Sequence, residues 1–311
     1  MAEQEGIFAY VFPGQGSQRV GMGRDLYGAF AQAREVFEEA DDALGFSLSR
    51  LCFEGPEREL AQTVNAQPAI LTVSIACLKS VAEVAGGLIC PVFMAGHSLG
   101  EYTALVAAQV LDFKDAVRLT RQRGKLMQEA GERVPGGMAA IIALDEVSME
   151  AICEETGAQI ANINSPGQIV ISGTKPALVR AMDLARAMGA RHIMPLKVSG
   201  AFHSPLMQPA AEGMAQALSQ LSFRDPNVPI VVNSTAHPVT TANEIKDELV
   251  RQLSSCVQWQ KSVEYMVDAG VSTFIEIGPG QVLSGLIKRI DKEAQTLNVG
   301  DASSIRAMAF K

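Results

Sequence analysis

The sequence predicts an α/β protein, a mostly parallel sheet with helices on both faces and a smaller ferredoxin-like unit inserted into it. Three observations lead there. Short apolar runs bounded by Gly or Pro alternate with longer stretches of helical periodicity, the pattern of a parallel sheet built from strand-helix units. The stretch 135–198 departs from that rhythm and reads strand, helix, strand, strand, helix, strand, which is the ferredoxin-like order. The chain has 311 residues, 48% of them hydrophobic and 19% charged, enough apolar material for a real core and a length that suits about two domains or one with an insertion.

The elements follow in order. Residues 7–12 form an apolar run closed by Pro13 and Gly14, a first strand. Helical periodicity covers 67–85, a strand 92–95, and helices 98–108 and 112–130. In the insertion, strands are expected at 138–144, 159–162, 168–172 and 191–196, with helices at 147–155 and 175–188 and a turn at Ser165, Pro166 and Gly167. The body resumes with a helix at 205–220, a strand at 229–233, helices at 242–253 and 260–268, a strand at 273–277 and a helix at 281–290. Residues 300–311 read as a loosely held tail. The expected organisation is one body made of 1–134 and 199–311, with 135–198 as the small domain.

Composition narrows the function. Twenty-six Lys and Arg against 34 Asp and Glu give a net charge of −8 with no basic run, which argues against a nucleic-acid surface. The apolar stretches 88–95 and 138–144 fall short of the ~18 to 20 residues that cross a bilayer, so no membrane span is expected. The acidic N-terminus has no basic segment followed by an apolar core, which points to the cytoplasm. Five scattered cysteines without a C-x-x-C pair read as reduced, buried packing residues and not as a zinc site or disulfide framework.

The sharpest local signal is Gly96-His97-Ser98-Leu99-Gly100, a G-x-S-x-G directly after an apolar run and opening a helix. In that context the glycines relieve crowding at a sharp turn, the serine hydroxyl projects from its tip, and the next amide faces the space where an oxyanion forms. A serine needs a base, and only four histidines exist. His97, adjacent to Ser98, points away from the hydroxyl on such a turn, and His192 reads as surface. His203, in a loop that returns from the insertion, and His237, in a loop beyond a strand, both remain open on position alone, with His203 ranked first. The glycine-rich loop Phe12-Pro13-Gly14-Gln15-Gly16-Ser17-Gln18 lacks the third glycine of a dinucleotide fingerprint, where Arg19 stands, but suits an oxyanion-hole amide. Arg123, followed by the side-chain-free Gly124, is a candidate to hold a substrate carboxylate by two parallel bonds.

Several blocks together carry a family likeness: FPGQGSQRVGMG (12–23), NAQPAI (65–70), GHSLGEYTALVAA (96–108), RGKLM (123–127), NINSPGQIVISG (162–173), GAFHSPLM (200–207), VRQL followed by VQW (250–259) and EIGPGQVLSGLIKRI (276–290). The chain resembles, nearly end to end, the malonyl-CoA:acyl carrier protein transacylases of fatty acid synthesis and the related acyltransferase domains of polyketide synthases. The resemblance implies a hydrolase-like α/β body with a ferredoxin-like insertion. It implies Ser98 as the acylated nucleophile and His203 as the base, with the amides of Gln15 and Leu99 as oxyanion hole. It further implies Arg123, Phe202 and Asn162 at the substrate, the Phe202 ring crowding an α-methyl group, and the Gln252 carbonyl orienting the histidine. No permanently bound cofactor is implied. Malonyl-CoA is the substrate and acyl carrier protein, with its phosphopantetheine, the partner of a monomeric enzyme. For an acidic carrier, Lys288 and Arg289, or Arg186 and Arg191, are docking candidates. Gln109 departs from the glycine that relatives commonly carry there, which bears on the helix end. A trans-acting polyketide acyltransferase, a malonate decarboxylase malonyl transferase subunit, a serine thioester hydrolase and a silent docking subunit are the competing readings.

Overall fold

The computed structural model describes residues 7–308. In chain order its strands are β1 (Phe8–Phe12), β2 (Phe93–Gly96), β3 (Gly136–Ile142), β4 (Gln159–Ser165), β5 (Gln168–Thr174), β6 (His192–Pro195), β7 (Ile230–Val231), β8 (Pro238–Val239), β9 (Thr273–Ile277) and β10 (Gln295–Val299). The large sheet runs β10-β9-β1-β2-β7-β8, parallel from β10 to β7, with β8 antiparallel at the edge. The small sheet runs β4-β5-β3-β6 and is antiparallel throughout, the order that the βαββαβ pattern leads one to expect.

The large sheet is buried on both faces, which is why its strands are continuously apolar and do not alternate. Within β1, Tyr10 and Phe12 enter one core cluster while Ala9 and Val11 enter another on the opposite face. In the small sheet Ala139, Ile141, Ile169 and Ile171 pack under helices Glu146–Thr156 and Lys175–Ala187. Its other face, with Met138, Ala140 and Val170, joins the main core of the body, so the insertion is mortised in by apolar contact.

Helix Thr63–Ala85 is long and apolar enough to cross a membrane by length and composition alone, a property the search for uninterrupted apolar runs overlooked. Its apolarity has another cause: 72% of its most apolar window is buried inside the protein. It lies against helix Phe113–Arg133, where a Cβ on Gly124 would sit 2.6 Å from the Thr63 carbonyl oxygen. Gly124 therefore serves helix packing, not the approach of a substrate as its place beside Arg123 suggested.

Other expectations are corrected. The strand expected at 229–233 is only two residues long, because Val232 and Asn233 leave the ladder, and Asn233 turns its side chain to the serine turn. The segment read as a loose tail contains helix Ala302–Met308, with Ala302 and Ile305 buried and the Ala302 N–H donating to Asp25 at 2.7 Å; residues 309–311 lie outside the described part. Helices Arg24–Ala29, Ala31–Leu44, Leu48–Glu54 and Glu57–Leu60, and the edge strand β10, add to the elements expected. All five cysteines are free thiols, but Cys90 is exposed and Cys256 half-buried, so the packing role fits only Cys52, Cys77 and Cys153. Gln109 has φ 61°, the left-handed position after a helix end where glycine is usual.

Candidate active site

The segments that follow the adjacent parallel strands β1, β2 and β7 meet beyond their carboxyl ends, where ligands bind in this architecture. After β2, Ser98 sits at φ 50°. The two glycines of G-x-S-x-G allow it: a Cβ on Gly96 would lie 1.9 Å from the Gly100 carbonyl carbon, and one on Gly100 would lie 2.0 Å from the Phe12 oxygen. After β1, a Cβ on Gly14 would lie 2.3 Å from the His97 oxygen. The first loop and the serine turn are thus locked backbone to backbone. Among the described residues the amides of Gln15 and Leu99 meet no acceptor, which leaves both N–H groups free for a ligand oxygen.

The serine turn is held from β7. Asn233 accepts the Ser98 N–H at 2.6 Å and donates its Nδ2–H to the Gly96 carbonyl at 2.7 Å. Ser98 Oγ lies 2.8 Å from His203 Nε2, and His203 Nδ1 lies 2.9 Å from the Gln252 carbonyl oxygen. A carbonyl only accepts, so Nδ1 carries the ring proton and Nε2 is left to take the serine proton. His203, with φ 57°, is 4% exposed. Burial, and then the Arg123 charge, pull its pKa down to about 3, so the imidazole rests neutral. His237 is exposed, its ring on the Thr235 carbonyl and beside Tyr265, away from this cluster.

Arg123 is 1% exposed. Its Nη1–H donates to Gln67 Oε1 at 2.7 Å, and its Nη2–H donates to Gln252 Oε1 at 2.8 Å and to Ser98 Oγ at 3.2 Å. Gln67 Nε2 donates to Thr63 Oγ1, whose hydroxyl donates to Gln15 Oε1, each at 2.8 Å. The guanidinium is thereby tied both to the nucleophile and, through two side chains, to the first loop. Glu101, also 1% exposed, accepts from Gln252 Nε2 and from the Asn233 N–H. Burial, then the neighbouring Glu248, raise its pKa well above the ordinary range.

Of the other expected residues, Phe202 is buried in the main core. Asn162 contacts His97, its Nδ2 3.4 Å from His97 Nε2, with Asn164 Oδ1 at 2.9 Å from the same nitrogen. His97 rests beside Trp259, ring centroids 5.6 Å apart, and His192 is exposed, as their places in the sequence suggested. Arg289 donates to Gln168 and Arg186 pairs with Asp183 at 2.9 Å. Sequence reasoning missed Asn233, Gln67, Thr63 and Glu101. A separate cleft of about 490 Å³ runs between helix Glu146–Thr156, β4 and Cys256–Gln258, and it holds none of the groups just described.

A strained serine, a neutral histidine oriented by a carbonyl, two free amides and a buried cation are what acyl transfer to and from an oxygen nucleophile calls for. The chain belongs to the acyl transferase domain family, whose model matches residues 9–306. Within it, the chain is 47% identical over 302 residues to the malonyl CoA-acyl carrier protein transacylase of Bacillus subtilis, covering 96% of this chain and 94% of that one. It is 49% identical over 306 residues to the enzyme of the same name from Escherichia coli, covering 97% of each. Among solved structures, an acyl carrier protein S-malonyltransferase from Vibrio cholerae superposes with a TM-score of 0.93 at 44% identity, covering 97% of this chain and 99% of that one. A type II PKS acyl-carrier protein in complex with its malonyl-transacylase matches with a TM-score of 0.92 at 46% identity over 96% and 97% of the two chains.

Proposed function

We propose that this chain moves a malonyl group from malonyl-CoA to the phosphopantetheine thiol of an acyl carrier protein through an ester on Ser98. The observation that carries the reading is the buried guanidinium of Arg123 standing 3.2 Å from a serine oxygen that is itself 2.8 Å from a neutral imidazole. A water-activating hydrolase has no need of a fixed cation at the nucleophile, whereas an acyl group that ends in a carboxylate does.

In the first half-reaction Ser98 Oγ attacks the thioester carbonyl as His203 Nε2 takes its proton. The amides of Gln15 and Leu99 hold the oxyanion, and its collapse expels the CoA sulfur, which receives the proton from His203. In the second half the pantetheine thiol gives its proton to His203 and attacks the malonyl ester, and the same proton returns to Ser98 Oγ. The Gln252 carbonyl fixes the imidazole tautomer but, being neutral, stabilises imidazolium less than a carboxylate would. Arg123 holds the malonyl carboxylate, and that carboxylate offsets the positive charge that depresses His203, so the proper substrate makes its own base stronger. Phe202, next to His203, narrows the room for an α-substituent, and Asn162 lies against His97, the residue before Ser98 in sequence. No permanently bound group is needed for any step.

The two bodies are 1–134 with 199–311, and 135–198 as a wall of the cleft. The exposed Lys288 and Arg289 supply positive charge for an acidic carrier on an otherwise acidic chain. The reading extends to a monomer working in fatty acid synthesis, and the five unpaired thiols suit the reducing cytoplasm. The test is intact-mass measurement after mixing with malonyl-CoA. The wild type gains one malonyl group, loses it when holo carrier protein is added, and Ser98→Ala gains none. Steady release of malonate without a malonyl-enzyme would overturn the reading in favour of a hydrolase.

A further inference from the structure

Arg123 keeps its charge where almost no water reaches, 1% exposed, and among the described residues no carboxylate pairs with it directly. An uncompensated buried cation is costly. A carboxyl group, that of Glu101, is reached through one side chain. Gln252 Oε1 accepts from Arg123 Nη2, while Gln252 Nε2 donates to Glu101 Oε2 and, at 3.0 Å, to the Ser98 carbonyl. The two ends of an amide have the same shape, so packing alone does not decide which faces the guanidinium. Guanidinium only donates and the Ser98 carbonyl only accepts, so one arrangement satisfies both, and Glu101 Oε2, accepting at the same amide nitrogen, holds Gln252 in it.

We propose that Glu101 is a positioning residue for acyl transfer: through the Gln252 amide it orients Arg123 and, because the Gln252 backbone carbonyl holds His203, it ties capture of the acyl carboxylate to alignment of the base. The inference rests on the malonyl-transfer reading above and deepens it. Three links converge on Gln252: its amide oxygen to the carboxylate clamp, its amide nitrogen to Glu101 and the serine turn, and its carbonyl to the imidazole at 2.9 Å. Glu101 reaches the nucleophile by a second route as well, since its Oε1 accepts from the Asn233 N–H at 3.3 Å and Asn233 accepts from the Ser98 N–H. The charged groups around it are Arg123 on helix Phe113–Arg133 and Glu248 on helix Ala242–Arg251. Ser234 satisfies Glu248 with both its N–H and its hydroxyl, which leaves the Gln252 amide to Glu101.

The test compares Ser98 acylation by malonyl-CoA and acetyl-CoA in Glu101→Gln, Arg123→Ala and the double variant, with unfolding midpoints as a control. An amide at position 101 has one acceptor oxygen where the carboxyl group uses two, so either the Gln252 Nε2–H or the Asn233 N–H loses its partner and the Gln252 side chain is held less firmly. Malonyl acylation is expected to drop about tenfold or more in kcat and acetyl acylation less than about threefold, with a further loss under about threefold once Arg123 is absent. Equal losses for the two acyl groups, the same loss without Arg123, or no loss would overturn the proposal. Should Glu101→Gln fail to fold, Glu101→Asp, which keeps the carboxyl group but shortens the reach, must still lower the malonyl-to-acetyl ratio, and an unchanged ratio overturns it equally. A wild type that never forms malonyl-Ser98 would instead sink the function on which the inference depends.

Discussion

Replacing Arg123 with alanine removes the one cation that bonds Ser98 among the described residues and so tests where acyl selectivity comes from. Two charge-assisted hydrogen bonds from the guanidinium to a carboxylate contribute about 3 to 6 kcal/mol, and each neutral contact given up returns about 1 kcal/mol. If Ser98 Oγ becomes the ester, as proposed, the 3.2 Å bond to it is the contact surrendered, while Gln67 and Gln252 compete for the remaining protons. The net is about 2 to 4 kcal/mol, or about 30- to 700-fold in kcat/KM for malonyl-CoA at 1.4 kcal/mol per decade. Acetyl-CoA never used the guanidinium, and its rate should stay within about threefold. Quenched-flow intact-mass measurement of Ser98 acylation at sub-saturating thioester reads both rates. Circular dichroism controls for the fold, since Gln67 and Gln252 lose their donor. An unchanged malonyl-to-acetyl ratio in a folded variant would show that selectivity lies elsewhere.

Gly14→Ala should cut kcat by about 10- to 100-fold with KM little changed, because a Cβ 2.3 Å from the His97 oxygen forces the first loop away from the serine turn and misplaces the Gln15 amide; a variant with full turnover would show the loop can give. Gln109→Gly should raise stability by about 0.5 to 1 kcal/mol, since φ 61° strains a side-chain-bearing residue, and urea unfolding reads it, no gain arguing that the Arg224 bond to the Gln109 carbonyl already absorbs the strain. His203 is depressed in the folded state, so below the ordinary value of about 6.5 the unfolded chain binds the extra proton, and stability attributable to this ring is full above that pH and lost as pH falls toward 3. Urea midpoints should therefore fall more steeply between pH 6.5 and 5 in the wild type than in His203→Ala, and parallel curves would refute the assignment of that slope to His203.

Much of this was legible because it is local. A buried parallel strand is a short apolar run closed by a turn, so the strand at 273–277 coincides with β9, and the serine turn was visible as five consecutive residues. The choice between His203 and His237 was not local: His203 is buried with Nε2 2.8 Å from Ser98 Oγ, whereas His237 is exposed on the Thr235 carbonyl. Asn233 was illegible for the same reason: it meets Ser98 across 135 positions, and as the end of a supposed strand it looked like a ladder residue. Glu101 sat in the first turn of a helix, where an acidic side chain ordinarily faces water and the helix dipole, and only the third dimension turns it inward. Gly124 misled because a glycine beside an arginine has two explanations in one dimension and one in three. Residues 300–308 were misread because the burial that orders them comes from Asp25 and the core, not from their own periodicity.

The frame around the oxyanion site is made of backbone pressed on backbone: Gly14 against His97, Gly96 against Gly100, Gly100 against Phe12. None of those contacts depends on which side chain recognises the acyl group. For protein engineering, this frame is the part to leave alone: side chains around it can be exchanged without touching the three backbone contacts that set the spacing between the first loop and the serine turn.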